Sequence, residues 1–516
     1  MSTLPPSPSR SAAPHSRRAF LRGFPLLATT ALATGTARAA GASTDPENDP
    51  VFMSAKKLAG LIAAKKISSV EAVTAHYARI DAVNPKINAV VQFCRERAFA
   101  EAKAADAALA AGKSLGPLHG LPFTIKDSID TAGVISTAGT AGRMNYVPPK
   151  DATVVARLRA AGAVLLGKTN TPEWTLAGGG IPGISTTANI VYGTTKNPYD
   201  VTRSTAGSSG GAGAIVAAGG SPFDIGTDWG GSIRGPAHNN GIAGIKPTYG
   251  RVPRTGHIVG YGGYLDSWQE LGPMARRVED LTLLMPILSG PDFSDAAMAP
   301  VPWRDPAAVN IAKLRVAFFP SNQLTETTPE TQDTVRAAAK MFAEAGATVT
   351  EDCPKDLILE LEEIRFKFMA ACGWSYLKRL ADKWDSKAVS PTVVARYGVG
   401  TTSTAELIEL WEKQDANKMK WLAWLKNYDL ILCPAAAKPA QPINLGTQGT
   451  TWRPGTSYTG MFNTTGYPSA VVRAGTSPEK LPIGLMLTAP PWRDDIALAA
   501  SAFVESKTGG WQRPPI

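Results

Sequence analysis

"ATVVARLRAAGAVLLGKTN", residues Ala152 to Asn170, decides the fold class. Its spacing predicts a helix over about Ala152 to Ala161, followed after Gly162 by a strand over Ala163 to Gly167. That alternation signals an α/β sheet rather than a helical bundle. Upstream, "LPFTIKDSID" (Leu121 to Asp130) is a short apolar strand that runs into a charged pair. Lys126 therefore stands at a strand end, where side chains of α/β folds meet ligands. Further back, "INAVVQF" reads as a strand and Arg95 to Ala111 as an alanine-rich helix. Ser68 with Glu71 three residues on forms a capping box, and Leu58, Leu61 and Ile62 recur at helical spacing.

Downstream, "STAGSSGGAGAIVAAGG" (Ser204 to Gly220) is a glycine-serine turn opening a small-residue helix, and "SPFDIGTD" is a strand. That strand leads into "GTDWGGSIRGPAHNNGIAGIKPT", Gly226 to Thr248. Gly178 to Tyr192 reads as a long loop. Pro291 to about Lys426 reads as mostly helical, with Trp374, Tyr376, Trp411, Trp421 and Trp424, before "YDLILCP" restores a strand. No internal repeat or long linker divides the body.

The formal charge of +10 is concentrated at the start: Arg10, Arg17, Arg18, Arg22 and Arg38, with no acid, fall in the first 39 residues and account for half of it. The remaining +5 on so large a body, without basic runs interleaved with aromatics, argues against a nucleic-acid partner. "SRRAFLRG", the apolar run Phe24 to Gly35 and "ARA" before Ala40 resemble a twin-arginine export signal cleaved after Ala39. Residues 1–39 are thus expected to be a signal peptide, 40–50 a linker and 51–516 the folded domain, periplasmic or secreted. No run has the 18 to 20 uncharged apolar residues needed to span a bilayer, so the protein is not expected to be membrane-embedded. Cys94, Cys353, Cys372 and Cys433 are widely spaced, and the histidines after the signal, His76, His119, His238 and His257, form no metal motif. Neither a metal nor another cofactor is expected.

Ser232 lies behind Gly230 and Gly231, with Asp228 before it and Arg234 after it. Glycines let backbone N–H groups approach a bound atom closely, which suits a nucleophile beside an oxyanion pocket, an anion-binding loop or a tight turn. "GSSGG" (Gly207 to Gly211) also satisfies the nucleophile elbow G-x-S-x-G with Ser209, which calls for a later acid and then a histidine. Only His238 and His257 follow, both within fifty residues. With histidine scarce, a lysine made neutral by burial is the other available base, and one serine could relay a proton to it from another.

Taken together, "IKD", "GSSGG", "GTDWGGSIRGPAHNNGIAGIKPT", "YTGMFNTTGYPSAVV" and "LPIGLML" resemble the amidase signature family from about Ser54 to the end. Ser208 precedes Ser232 by 24 residues, and Lys126 precedes Ser208 by 82. The resemblance implies a single large α/β domain with a central mixed β-sheet flanked by helices. It implies a triad of Ser232 as nucleophile, Ser208 as relay after a cis peptide bond, and Lys126 as base. The backbone N–H groups of Trp229, Gly230, Gly231 and Ser232 would line the oxyanion pocket, with Asp228 and Arg234 bracing the loop. Relatives cleave simple amides, peptide C-terminal amides, aryl amides, lactams and carbamates. One branch is the glutaminase component of a transfer-RNA-dependent amidotransferase, which works inside the cell with partner proteins, so the export signal points away from it. The expected partner is a small or peptide-like amide, with oligomeric state open. An elbow-type esterase using Ser209 and a non-catalytic periplasmic binding protein are the alternatives. Ala206 departs from the glycine of many relatives, and Trp229 is bulkier than expected; it either faces the substrate or fills core.

Overall fold

The computed structural model describes residues 49–176, 186–258, 266–372, 375–394, 402–444, 454–455 and 457–516. The proposed signal peptide, most of the linker and Trp374 lie outside them.

The N-terminal helices are α1 (Ala55–Ala63), α2 (Ser69–Ile87) and α3 (Arg95–Ala110). Ser68 caps α2 through its hydroxyl, and Glu71 bonds back to the Ser68 N–H. The segment from Ala152 to Asn170 becomes α4 (Thr153–Ala160) and β3 (Val164–Thr169). The other strands are β1 (Val90–Phe93), β2 (Pro122–Lys126), β4 (Ala188–Asn189), β5 (Gly193–Thr194), β6 (Phe223–Asp228), β7 (Ala243–Lys246) and β8 (Glu270–Ala275). They continue as β9 (Arg315–Phe318), β10 (Thr348–Glu351), β11 (Leu430–Pro434), β12 (Ser469–Thr476) and β13 (Pro482–Thr488).

Eleven of these strands form one mixed sheet in the order β1-β3-β2-β6-β8-β7-β12-β13-β11-β9-β10. β3, β2 and β6 run parallel, as do β11, β9 and β10, and the remaining pairs are antiparallel. Helices cover both faces, over two large apolar clusters. This is the single large α/β domain that the resemblance implied.

Two differences from the sequence reading concern strands. The stretch read as mostly helical also contains β9 and β10, four residues each. β10 is an edge strand, largely exposed, so its sequence lacks the apolar run that marks a buried strand. The stretch read as a loop up to Tyr192 includes β4, paired antiparallel with β5.

The parallel pairing of β2 with β6 positions the site. Thr124 sits opposite Asp224 and Ile125 opposite Ile225, so both strands deliver their C-terminal ends to the same edge of the sheet. At the other, N-terminal ends of the same two strands Phe123 and Phe223 stack with centroids 5.4 Å apart, which supports the register with about 1 kcal/mol beyond the area buried.

Candidate active site

Lys126 ends β2 with no solvent exposure. Its Nζ lies 2.7 Å from Ser208 Oγ, 3.0 Å from Ser209 Oγ and 2.7 Å from Thr227 Oγ1. All three partners are neutral hydroxyls. Burial lowers the amine to about 7, against the opposing pull of the Asp228 and Asp224 carboxylates. A lysine with that value is largely uncharged just above neutrality and can accept a proton.

Ser208 and Ser209 arrive on the turn that opens α5 (Gly210–Ala217), a helix buried on every side. The Gly207–Ser208 peptide is cis. Ala206 holds a positive φ of 56°, the conformation that the glycine expected here from the resemblance would enter most easily. Ser209 is no elbow nucleophile here. It is fully buried, its hydroxyl bonds to Lys126 and Thr227, and its N–H donates to the Ser232 carbonyl at 3.1 Å. His238 is held instead by the Gly484 N–H and the Lys438 carbonyl, and His257 by Ser128 and Gln269.

Ser232 follows β6 and precedes the short helix α6 (Arg234–Asn239). It is half-buried, whereas Ser208 is closed off. Gly231 has a φ of 121°, and a Cβ there would come within 2.4 Å of Thr459 Oγ1. Only glycine fits both conditions. Its N–H, expected to face a substrate oxygen, donates to Asp228 Oδ1 at 2.7 Å. The carboxylate thus occupies that donor, so among the expected oxyanion donors Gly231 serves to shape the loop.

Asp228 and Arg234 do brace the loop, and they bond to each other. Nε and Nη2 of Arg234 lie 3.0 and 2.9 Å from the two carboxylate oxygens, with both side chains fully buried. Asp228 also accepts the Ile233 N–H and Asn463 Nδ2. Burial would raise its carboxyl, but the charge and hydrogen bonds of Arg234, with Asn463 and Ile233, hold it below the usual carboxylate range. Arg234 reaches further to the Thr459 carbonyl and Asn463 Oδ1, and Thr459 Oγ1 donates to the Gly230 carbonyl. Asn463 and Thr459 were given no role by the sequence reading, although both lie in "YTGMFNTTGYPSAVV", one of the stretches that carry the resemblance; they are more than 220 residues from the loop they hold.

The side chain of Trp229 is 9% exposed and packs 5.3 Å from Trp268. Of its two expected fates, it takes the core one. A cavity of about 330 Å³ touches both glycine segments, at Gly207 and at Gly230, Gly231 and Gly235. It is also lined by the Lys355–Cys372 helix, through Glu362, Arg365 and Phe366, and by Ala435 to Ala437 and Ser457 to Thr459, but not by the Ser208 or Ser232 side chains. Tyr376 of the helical stretch is not part of this lining. Most of the Gly178 to Tyr192 stretch lies outside the described residues.

Among the described residues no group of three or more His, Cys, Asp or Glu side chains is placed to hold a metal ion, and no helix is long and apolar enough to cross a membrane. Cys94, Cys353, Cys372 and Cys433 are not joined in disulfide bonds among the described residues.

Comparison with known proteins gives a consistent answer. The model of the family described as Amidase matches residues 71–498. The chain is 34% identical to a glutamyl-tRNA(Gln) amidotransferase component of Chloroflexus aggregans, over 88% of this chain and 96% of that one. It is 33% identical to the acylamidase of Rhodococcus erythropolis, over 88% and 95%. The solved structure of 6-aminohexanoate cyclic dimer hydrolase with its substrate superposes with a TM-score of 0.77 at 29% identity, covering 90% of this chain and 99% of that one.

Proposed function

This chain belongs to the Amidase family and is an amidase, a hydrolase of carbon–nitrogen bonds other than peptide bonds, and from that premise we propose a mechanism, a substrate range and a location for it. Ser232 Oγ attacks the amide carbonyl carbon. Its proton passes to Ser208 Oγ as the Ser208 proton passes to Lys126 Nζ, leaving a tetrahedral oxyanion. Backbone N–H groups of Trp229, Gly230 and Ser232 receive that oxygen, each donor contributing about 3 kcal/mol to lowering the barrier. The proton returns through Ser208 to the departing nitrogen, the C–N bond breaks, and water then releases the acid from Ser232 by the same relay in reverse order.

The observation that carries this reading is the burial of Lys126 against Ser208 at 2.7 Å, with only neutral partners around the amine. The likeness to an acylamidase and to a cyclic dimer hydrolase supports small or peptide-like amides as substrates. The likeness to an amidotransferase component supports a glutaminase role instead. The export signature in residues 1–39 favours the first, with residues 51–516 as a periplasmic or secreted amidase domain.

A fluorophosphonate probe tests the mechanism. Peptide mass mapping is expected to find the adduct on Ser232, and Lys126→Ala is expected to abolish labelling. An adduct on Ser209, or none on the active wild type, would overturn it. Fractionation of the native host, with signal processing after Ala39 read by N-terminal sequencing, tests the location.

A further inference from the structure

In the lining of the cavity that touches the glycine loop, Glu362 is fully buried, yet neither of its carboxylate oxygens meets a hydrogen-bond donor among the described residues. Burial of that kind normally comes with partners. The nearest cation is Arg365, one turn on in the same helix, whose Nη1 stands 3.7 Å from Glu362 Oε1, too long for a hydrogen bond. Arg365 is drawn the other way. Its guanidinium lies over the rings of Trp229 and Trp268, at 5.0 and 5.4 Å, and its Nη2 donates to the Trp229 carbonyl at 3.4 Å. Gly460 makes room for the pair, since a Cβ there would fall 2.4 Å from Arg365 Nη1 and 2.6 Å from Glu362 Oε1. Burial raises the Glu362 carboxyl, and Arg365 opposes the rise.

An acceptor without a donor, at the edge of a cavity that reaches the proposed nucleophile loop, is a subsite. We propose that Glu362 is a specificity-determining residue that accepts a hydrogen bond from an N–H group of the substrate lying beyond the scissile amide. The preferred substrates are then amides of acylated amino acids or short peptide-like chains, not amides of plain hydrocarbon acids. A ligand N–H that meets this donorless carboxylate binds better than a methylene that cannot. The proposal rests on the amidase reading above for the location of the reacting carbonyl.

The test compares N-acetylglycinamide with 4-oxopentanamide, which differ only by an N–H in place of a CH₂. Each is measured as a competitive inhibitor of p-nitrophenyl acetate hydrolysis, so that slow turnover of either does not matter. For the wild type the N–H compound is expected to inhibit at least about tenfold more strongly, the worth of one hydrogen bond to a charged group. In Glu362→Gln the ratio is expected to fall toward one, with Glu362→Asp intermediate. A purely structural role would weaken both inhibitors alike and keep the ratio, which overturns the proposal. So does equal inhibition of the wild type, or inhibition by neither compound at their solubility limits. Absence of ester hydrolysis or of Ser232 labelling would instead count against the mechanism itself.

Discussion

Two buried lysines on neighbouring strands take opposite parts. Lys126 on β2 is in register with Thr169, and Lys168 on β3 is in register with Ile125, so the two side chains leave opposite faces of the sheet. Neither is exposed. Burial lowers Lys126 to about 7 and Lys168 to about 8. Their surroundings separate them. Lys126 meets three hydroxyls, one of them on Ser208, next in the chain to the cavity-lining Gly207, while Lys168 bonds to the Ile129 carbonyl and Thr131 Oγ1 with Asp127 and Asp130 acting on it. Desolvation by itself does not make a base. A base also needs a proton donor on the route to the substrate, and in the mechanism proposed above Ser208 gives Lys126 one.

Mutation breaks this comparison most sharply at the lysines. Lys126→Met is expected to lower kcat/KM about 10³-fold, the scale of a lost general base, in protein that still folds. Steady-state kinetics on an acyl amide check it. Next comes the contrast between its hydroxyl partners. Ser208→Ala is expected to cost about 10²-fold or more in kcat, whereas Ser209→Ala, which removes one of three bonds to the amine but no relay step, stays within about tenfold. Equal losses from the two would mean that Ser208 is not the relay.

Lys168→Met should act on stability instead. It strips a donor from Ile129 and Thr131 and a countercharge from Asp127, at a cost of about 3 kcal/mol. A lower denaturation midpoint with undiminished kcat per folded molecule is the expected pair of results. The smallest effect is on pH. Because Lys126 works unprotonated, kcat/KM is expected to rise with pH through about 7 and level off above it. Asp224 is fully buried and takes hydrogen bonds from Thr124 and Thr169, and its carboxylate favours the charged amine. In Asp224→Asn that support is gone, and the acid limb should move to lower pH. A shift upward would mean that Asp224 acts on some other group.

The sequence was informative where chemistry is local. The strand ending at Lys126, the glycine-serine turn and the bracketed Ser232 are each read from a few adjacent residues, and the Ser68–Glu71 cap is a four-residue pattern. It was uninformative where a partner comes from far away. Asn463, Thr459 and Glu362 join the site from distant segments. Glu362 left one trace. With Arg365 it shares the buried face of its helix with Ile358, Leu361 and Phe368, positions that an amphipathic helix usually fills with apolar side chains.

The amino-acid order by itself determined the α/β class, the alternation of elements and the residue types able to do amide chemistry, because periodicity and turn chemistry act over a few residues. Tertiary structure decided that both adjacent serines meet Lys126, that Ser209 is also held against Thr227, and that the Gly231 N–H serves Asp228. It also decided which of two buried lysines meets these serines. Those outcomes depend on strand register and on distant segments being packed within hydrogen-bonding reach of each other, which no local pattern encodes.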